Sequence, residues 1–204
     1  MSGAGGGVLS HPELLAVQAA CLDCRACHDA GFQVESLSVF EGRPGQRAYL
    51  LGQAPGIVEG GERRPWRGRA GKQLRRWLGL DEDEFYATFY CASVTRCYPG
   101  RSRSGPGDRT PAPREQELCS FWLGWELRLL RPELIVTVGG LAARRLLGLR
   151  SLAECIGATF EHDGAVVIPL PHPSGVSRWL NAPANQKRLR RALALIAAQL
   201  QPST

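Results

Sequence analysis

Apolar and polar positions along the chain follow two periods, one typical of strands and one typical of helices. Short, mostly apolar runs bounded by glycine, proline or charged residues predict buried strands. The segments between them repeat their apolar positions at helical spacing. The predicted strands are residues 48–51, 89–94, 133–138 and 166–170, with a small hairpin or extra strand over 157–166. The predicted helices are residues 12–22, 71–78, 115–130, 140–147 and 185–200.

This alternation of strands and helices predicts a parallel sheet, because parallel neighbours require crossover connections. We expect a three-layer α/β/α sandwich around a central four-stranded, mainly parallel sheet. The chain of 204 residues is long enough for one complete core,. We therefore expect a single domain over residues 11–204, preceded by a glycine-rich, disordered tail over residues 1–10.

Polar side chains stand at or just beyond the carboxyl ends of three predicted strands. Gln53 follows the first strand in a glycine- and proline-bounded turn, Ser93 lies near the end of the second, and His172 follows the last. Ligands of open α/β sheets bind at this edge, so the three side chains should converge on one crevice. Taken singly, the turn at Gln53 and His172 each have a purely structural alternative, since such turns often carry glycine for geometry and such histidines are often structural.

The charge balance favours a polyanionic partner. The chain has 25 Lys and Arg against 19 Asp and Glu, a formal net charge of +6. Seven cations fall within one short segment beside the first turn: Arg63, Arg64, Arg67, Arg69, Lys72, Arg75 and Arg76. The cluster indicates nucleic acid, although it could also be a solvated face.

The termini and the apolar runs indicate no membrane partner. No apolar run approaches the ~20 residues of a membrane span, and residues 1–7 lack the layout of a secretory signal,. We expect a cytoplasmic protein associated with the bacterial nucleoid, and a monomer.

Seven cysteines in a chain without a secretory signal favour a metal site over a disulfide framework,. Three of them, Cys21, Cys24 and Cys27, form two overlapping Cys-x-x-Cys pairs. Cys97 and Cys119 flank a glycine-, proline- and arginine-rich loop over residues 101–113. Cys91 and Cys155 lie in apolar segments and are expected in the core, where unliganded cysteines are common.

Four short motifs, in this order, resemble those of the uracil-DNA glycosylase superfamily, specifically its iron–sulfur bacterial and archaeal branches. The resemblance covers roughly residues 20–195, nearly the whole chain. The motifs are Gly52-Gln53-Ala54-Pro55-Gly56, Arg64-Pro65-Trp66-Arg67-Gly68-Arg69-Ala70-Gly71, Ser93-Val94-Thr95-Arg96-Cys97-Tyr98-Pro99 and His172-Pro173-Ser174. Each is weak alone, but their common order is specific.

The resemblance implies a monofunctional DNA glycosylase that hydrolyses the N-glycosidic bond of uracil, or of a related deaminated base, and leaves an abasic site. Such an enzyme reads a base that has left the duplex. Gln53 and His172 then correspond to the catalytic residues. The implied base-binding residues are Gly52, Ala54, Glu59, Trp66 and Ser93, with Trp66 as the stacking platform and Glu59 near base C5.

The resemblance also implies how the chain holds DNA and a metal cluster. DNA, single- or double-stranded and carrying a damaged base, would contact Arg67, Arg69, Ser174, Gly175, Ser177 and Arg178. Arg178 is expected to fill the space that the base vacates. The implied ligands of a structural [4Fe–4S] cluster are Cys24, Cys27, Cys97 and Cys119. Cys21 is the alternative to Cys27, and zinc is the alternative occupant.

Two departures from the family pattern bear on activity. Gln53 stands where these enzymes carry a glutamate, and an amide can position water but cannot take its proton as a carboxylate does. Ser93 replaces an asparagine and has a shorter reach, which weakens discrimination between bases. A DNA- or lesion-binding protein with little or no catalysis is therefore the alternative.

A nucleotide or dinucleotide enzyme on a similar sheet is a third and weaker alternative. The turn over residues 52–56 lacks the spaced glycines of a phosphate-binding loop,. Pro55 also removes a backbone amide that such a loop would use.

Overall fold

The structure, a computed structural model, describes residues 11–103, 105, 107–148, 151–174 and 178–201. The expected disordered tail over residues 1–10 lies outside this range, as do Gly175 and Ser177. The strands are β1 (Ala48–Gly52), β2 (Phe89–Ser93), β3 (Leu134–Val138), β4 (Phe160–His162) and β5 (Ala165–Leu170). The helices are α1 (His11–Leu22), α2 (Ala26–Asp29), α3 (Ile57–Glu62), α4 (Arg69–Leu78), α5 (Glu82–Thr88), α6 (Pro113–Leu130), α7 (Gly140–Leu147), α8 (Leu152–Cys155), α9 (Pro183–Leu200) and a 3₁₀ helix, Arg178–Asn181.

The strands form one sheet in the order β2-β1-β3-β5-β4. β2, β1, β3 and β5 run parallel, and β4 pairs antiparallel with β5. The sheet therefore has five strands, one more than the four that we expected. The additional strand closes a two-residue hairpin, in which Asp163 and Gly164 both have positive φ angles, 49° and 82°. Asp-Gly is a preferred sequence for this kind of turn, so the sequence itself indicates a hairpin at this position.

Helices cover both faces of the sheet, and alternation along β1 divides the core between them. Ala48 and Leu50 belong to one apolar cluster, whereas Tyr49 and Leu51 belong to the other. The first cluster contains residues of α4, α5 and α9, and the second contains residues of α1, α6 and α7. The three-layer α/β/α arrangement is therefore confirmed.

A buried ion pair ties the segment after β2 to helix α6. Arg96 Nη2 donates to Glu126 Oε2 at 2.6 Å, and both side chains are almost fully excluded from solvent. The Tyr49 hydroxyl donates to the same oxygen. The Arg96 backbone N–H donates to the Cys119 sulfur at 3.3 Å. Because a buried charge without its partner is strongly destabilising, this network fixes Cys119 relative to the end of β2.

Helix α5 is the longest helix that was not predicted from the sequence, although its first residues form a recognisable N-terminal cap. Asp81 caps it by accepting the Glu84 N–H at 2.8 Å, and Glu84 accepts the Asp81 N–H at 2.9 Å. This reciprocal pair is a capping box. The helix buries Phe85 and Tyr86, and the Tyr86 hydroxyl donates to the Pro65 carbonyl at 2.5 Å. α5 thus braces the loop that precedes α4.

Within the described part of the chain, no helix combines the length and apolar character needed to cross a bilayer.

Candidate active site

A cleft of about 540 Å³ lies at the carboxyl edge of the parallel sheet. It is bordered by the segments that follow β1 and β5, by the end of β2, and by the loop that precedes α4. The predicted site residues that line it are Gln53, Ala54, Glu59, Trp66, Arg69, Ser93, His172 and Ser174. The expected convergence of Gln53, Ser93 and His172 on one crevice is therefore what the structure shows.

Strand register places the first turn beside the end of β2. Gly52 is the partner of Ser93 across the β1–β2 pair. The Gly52 carbonyl accepts the Val94 N–H at 2.9 Å, and the Gln53 carbonyl accepts the Thr95 N–H at 3.2 Å. These backbone bonds fix the turn. The Gln53 side-chain amide has no hydrogen-bond partner among the described residues, so it is available to a ligand or a water.

The indole of Trp66 closes one wall of the cleft and is mostly buried. A Cβ atom on Gly52 would lie 3.0 Å from both the indole Cζ2 and the Ser93 hydroxyl oxygen. Because real Cβ atoms rarely approach neighbours so closely, a side chain at Gly52 would displace one of them. Gly52 therefore shapes the cleft by its lack of a side chain.

The backbone of Trp66 is held in a left-handed conformation, with φ of 61°, which is uncommon for a bulky residue. Arg75 Nη1 donates to the Trp66 carbonyl at 2.9 Å. Helix α4 passes so close that a Cβ on Gly71 would lie 1.7 Å from that carbonyl oxygen. The glycine and the buried arginine together stabilise the orientation of the indole.

Glu59 joins the first turn to the Trp66 loop. Its Oε1 accepts the Gly68 N–H at 2.8 Å and its Oε2 accepts the Gly56 N–H at 3.2 Å. Both carboxylate oxygens are thus engaged with backbone amides of two different cleft-lining loops. The structure gives this residue a positioning task in addition to the expected place near the base.

His172 lies two residues beyond the end of β5 with its ring beside Gly139, whose added Cβ would lie 3.6 Å from the ring. The Ser174 N–H donates to Nδ1 at 3.2 Å. Since Nδ1 accepts, the neutral ring carries its proton on Nε2. Desolvation lowers the pKa of His172, although the nearby Glu59 carboxylate opposes that shift. His172 is therefore a neutral Nε2–H donor at neutral pH.

Much of the arginine cluster is paired with acidic side chains. Arg64 forms ion pairs with Glu41 and Glu82, Arg67 with Glu62 and Glu82, and Arg75 with Glu82. Arg69 lines the cleft and forms no ion pair among the described residues. Fewer unpaired positive charges therefore face a ligand than the number of arginines indicated. Arg69 is better placed than Arg67 to attract an anionic ligand.

The loop after β2 contributes four cleft residues that were not predicted from the sequence, Pro99, Gly107, Asp108 and Arg109. Asp108 accepts the Tyr98 hydroxyl at 2.9 Å, and Arg109 pairs with Glu115. The loop folds back on itself through a bridge between Arg101 and Asp108. No local periodicity marks this contact, so only the three-dimensional fold reveals it.

A second cavity, of about 420 Å³, is lined by Cys24, Cys27, Cys97 and Cys119. The pKa of Cys27 is raised to about 12, first by desolvation and then by the proximity of the other three thiols. Cys21 is fully buried and does not line this cavity. In the described part of the chain, no three His, Cys, Asp or Glu side chains are arranged to hold a metal ion. The lining thus groups Cys24, Cys27, Cys97 and Cys119, whereas Cys21 lies near Cys119 but outside the cavity wall.

We predict that the His172 ring titrates below the free histidine value of about 6.5, because desolvation in the cleft disfavours its charged form, although part of the residue is exposed to solvent. Protonation would also place an N–H on Nδ1 facing the Ser174 N–H. The unfolded chain then binds this proton first as the pH falls. The ring therefore lowers the free energy of unfolding below pH ~6.5 and has no effect above it.

Ring proton chemical shifts measured against pH would give the midpoint, and the His172→Gln variant assigns the signal. A midpoint above the free histidine value would mean that the Glu59 carboxylate outweighs desolvation.

Comparison with known proteins agrees with this geometry. A family model, that of the Uracil DNA glycosylase superfamily, matches residues 39–196. The Type-4 uracil-DNA glycosylase of Thermotoga maritima is 30% identical over 161 residues, which cover 76% of this chain and 78% of that protein. The Type-4 uracil-DNA glycosylase of Sulfurisphaera tokodaii is 27% identical over 166 residues, or 75% and 70% of the two chains. That of Archaeoglobus fulgidus is 31% identical over 139 residues, or 62% and 65%. The resemblance seen in the four motifs is confirmed, and the chain belongs to the uracil-DNA glycosylase superfamily.

Proposed function

We propose that the protein is a monofunctional DNA glycosylase that hydrolyses the N-glycosidic bond of uracil, or of a related deaminated base, and leaves an abasic site. The observation that carries the proposal is that Gln53, Trp66, Ser93 and His172 line one cleft. Its volume of about 540 Å³ suits a small ligand that enters from outside the sheet,. The names of the relatives support uracil as the base.

The cleft residues have separate roles in binding an extruded base and in breaking its glycosidic bond. A base inside a duplex is out of reach, so the nucleotide rotates out of the stack and into the cleft. The indole of Trp66 offers an apolar face for stacking. The Nε2–H of His172 donates to the base O2, where negative charge develops as the glycosidic bond breaks. A neutral donor suits this task because it is fixed before the reaction.

Base selection would depend on Ser93 and Glu59. The Ser93 hydroxyl lies at the base of the cleft beside the indole, and it can donate or accept one hydrogen bond to a base edge. Glu59 holds the two loops that face C5 of a bound pyrimidine. Because a serine offers fewer contacts than an asparagine, we expect deaminated bases other than uracil to be accepted.

DNA is the partner that this site requires. Arg69, and the segment after His172 that includes Ser174, border the cleft where the backbone of a damaged strand would lie. Arg178 begins the 3₁₀ helix beyond that segment and is proposed to enter the gap left by the base, together with the predicted contacts at Gly175 and Ser177. We also propose that the protein binds DNA as a monomer and is associated with the nucleoid.

The cysteine cavity fits an iron–sulfur cluster in its donor set. Four thiols line it, which is the usual ligand set of a [4Fe–4S] cluster and also suits zinc,. Two groups contact the sulfurs, the Arg96 N–H at Cys119 and the Ser38 hydroxyl at Cys97. When bound, the cluster would supply a structural cross-link between α2, the segment after β2, and α6. We propose Cys24, Cys27, Cys97 and Cys119 as its ligands.

The second candidate function is lesion binding without efficient catalysis. Gln53 is the observation that favours it, because an unpaired amide in the cleft positions water without taking a proton. Such a protein would bind DNA containing uracil or an abasic site and release no base.

A base-release assay separates the two functions. We expect wild-type protein in excess over uracil-containing oligonucleotides, single- and double-stranded, to release free uracil. His172→Ala should slow release by about 100-fold or more, the usual effect of removing such a donor. His162→Ala, on the edge strand β4, is the matched control and should retain the wild-type rate. Hypoxanthine, xanthine and thymine mispairs complete the panel. Tight binding by wild type with no base released would instead establish the binding function.

Metal content tests the cysteine assignment. Purified protein should be brown, absorb near ~400 nm and contain about four iron atoms per chain. Cys97→Ala should lose the colour and the iron, because one of the four thiolates is removed. Cys155→Ala, in helix α8 and away from the cavity, should keep both. Colourless protein that contains zinc would contradict the cluster.

A further inference from the structure

Two carboxylates line the cleft among the residues that the structure describes, and they differ in how their oxygens are used. Glu59 accepts a backbone N–H with each oxygen. Asp108 accepts one hydrogen bond, from the Tyr98 hydroxyl to Oδ1. Its Oδ2 has no hydrogen-bond partner in the described part of the chain. Asp108 is therefore the cleft carboxylate with an oxygen still able to accept a proton.

Asp108 also lies beside the turn that carries Gln53. A Cβ on Gly56 would lie 3.1 Å from Asp108 Oδ2, and Gly56 is three residues beyond Gln53. The unpaired amide and the unpaired carboxylate oxygen thus belong to side chains that line one cleft. A water between them would meet an amide that orients it and a carboxylate that takes its proton.

The position of Asp108 is held by a rigid neighbour. Tyr98 is 2% exposed, its backbone N–H donates to the Ser36 hydroxyl at 2.8 Å, and its carbonyl accepts the Glu35 N–H at 2.9 Å. Burial, and then the bond to Asp108, raise the pKa of Tyr98 to about 12. The phenol therefore keeps its proton and acts as a fixed donor to Oδ1.

The cation next to Asp108 does not neutralise it. Arg109 directs its guanidinium at Glu115 and at the Gln33 carbonyl, the latter at 3.1 Å. No ion pair joins Asp108 to a cation among the described residues. The carboxylate faces the cleft as an exposed, unpaired anion.

We propose that Asp108 is the catalytic base of this enzyme, accepting the proton of the attacking water that Gln53 orients. This inference rests on the proposed glycosylase function. The bond between the sugar C1′ and the base nitrogen breaks, and its electron pair leaves with the base. The water oxygen bonds to C1′, and its proton passes to Asp108 and then to solvent. The chain thus uses a carboxylate from the loop between Cys97 and Cys119.

Uracil release under single-turnover conditions tests this role in four proteins. Asp108→Asn keeps an oxygen for the Tyr98 hydroxyl but cannot take a proton, so its rate should fall by about 100-fold or more. Asp163→Asn is the matched control at the β4–β5 turn, where asparagine tolerates the positive φ, and should stay within about two-fold of wild type. Gln53→Glu combined with Asp108→Asn should recover at least about ten-fold, because a carboxylate returns to the same water.

Tyr98→Phe tests the placement of Asp108 without changing the carboxylate. It should slow release when Asp108 is present and have no further effect in the Asp108→Asn background, since both act through one water. A general loss of structure would instead slow both backgrounds.

Wild-type activity together with an Asp108→Asn rate within about three-fold of it would overturn the role of Asp108 and leave the proposed function intact. Absence of release by wild type would overturn both.

Discussion

Parallel pairing of β1 with both of its neighbours is the constraint on which the rest of the site depends. β1 lies between β2 and β3, and all three run in the same direction. Their carboxyl ends therefore meet at one edge, together with that of β5. Residues that are distant in sequence, Gln53, Ser93 and His172, reach a common cleft because the sheet aligns the strand ends that carry them.

Tertiary contacts then convert this edge into a defined pocket. The Glu59 carboxylate spans from the Gly56 amide to the Gly68 amide, and the absence of a side chain at Gly71 lets α4 approach the Trp66 carbonyl. These contacts act on backbone groups, so they fix loop geometry and use only Glu59 among the side chains that line the cleft. The indole is consequently positioned before a ligand arrives, and the imidazole is oriented separately by the Ser174 N–H. Fixed donors of this kind are what electrostatic stabilisation of a leaving base requires.

The parts of the fold that repeat along the chain were predictable, and the parts set by distant contacts were not. Apolar runs and their glycine boundaries identified all four parallel strands and the turn at Gln53, because buried parallel strands are nearly continuous in hydrophobicity. The edge strand β4 lies within the hairpin or extra strand expected over residues 157–166. Helix α5 was missed, although the Asp81–Glu84 capping box marked it. Asp108 carried no comparable signal, since its place in the cleft depends on the hydroxyl of Tyr98 and on a loop that folds back. The ion pairs of Arg67 with Glu62 and Glu82 could not be predicted either. A count of charged residues gives the net charge but does not show which charges are paired.

In the proposed function, the cleft holds a single extruded base between these groups. The most direct measurement is a crystal structure of the protein with an oligonucleotide containing 2′-fluoro-deoxyuridine, whose glycosidic bond resists cleavage. The account predicts the uracil ring stacked on the indole of Trp66, with its O2 at hydrogen-bond distance, about 2.7–3.2 Å, from Nε2 of His172. A base that remains in the duplex, or that binds on another surface while the cleft stays empty, would contradict it.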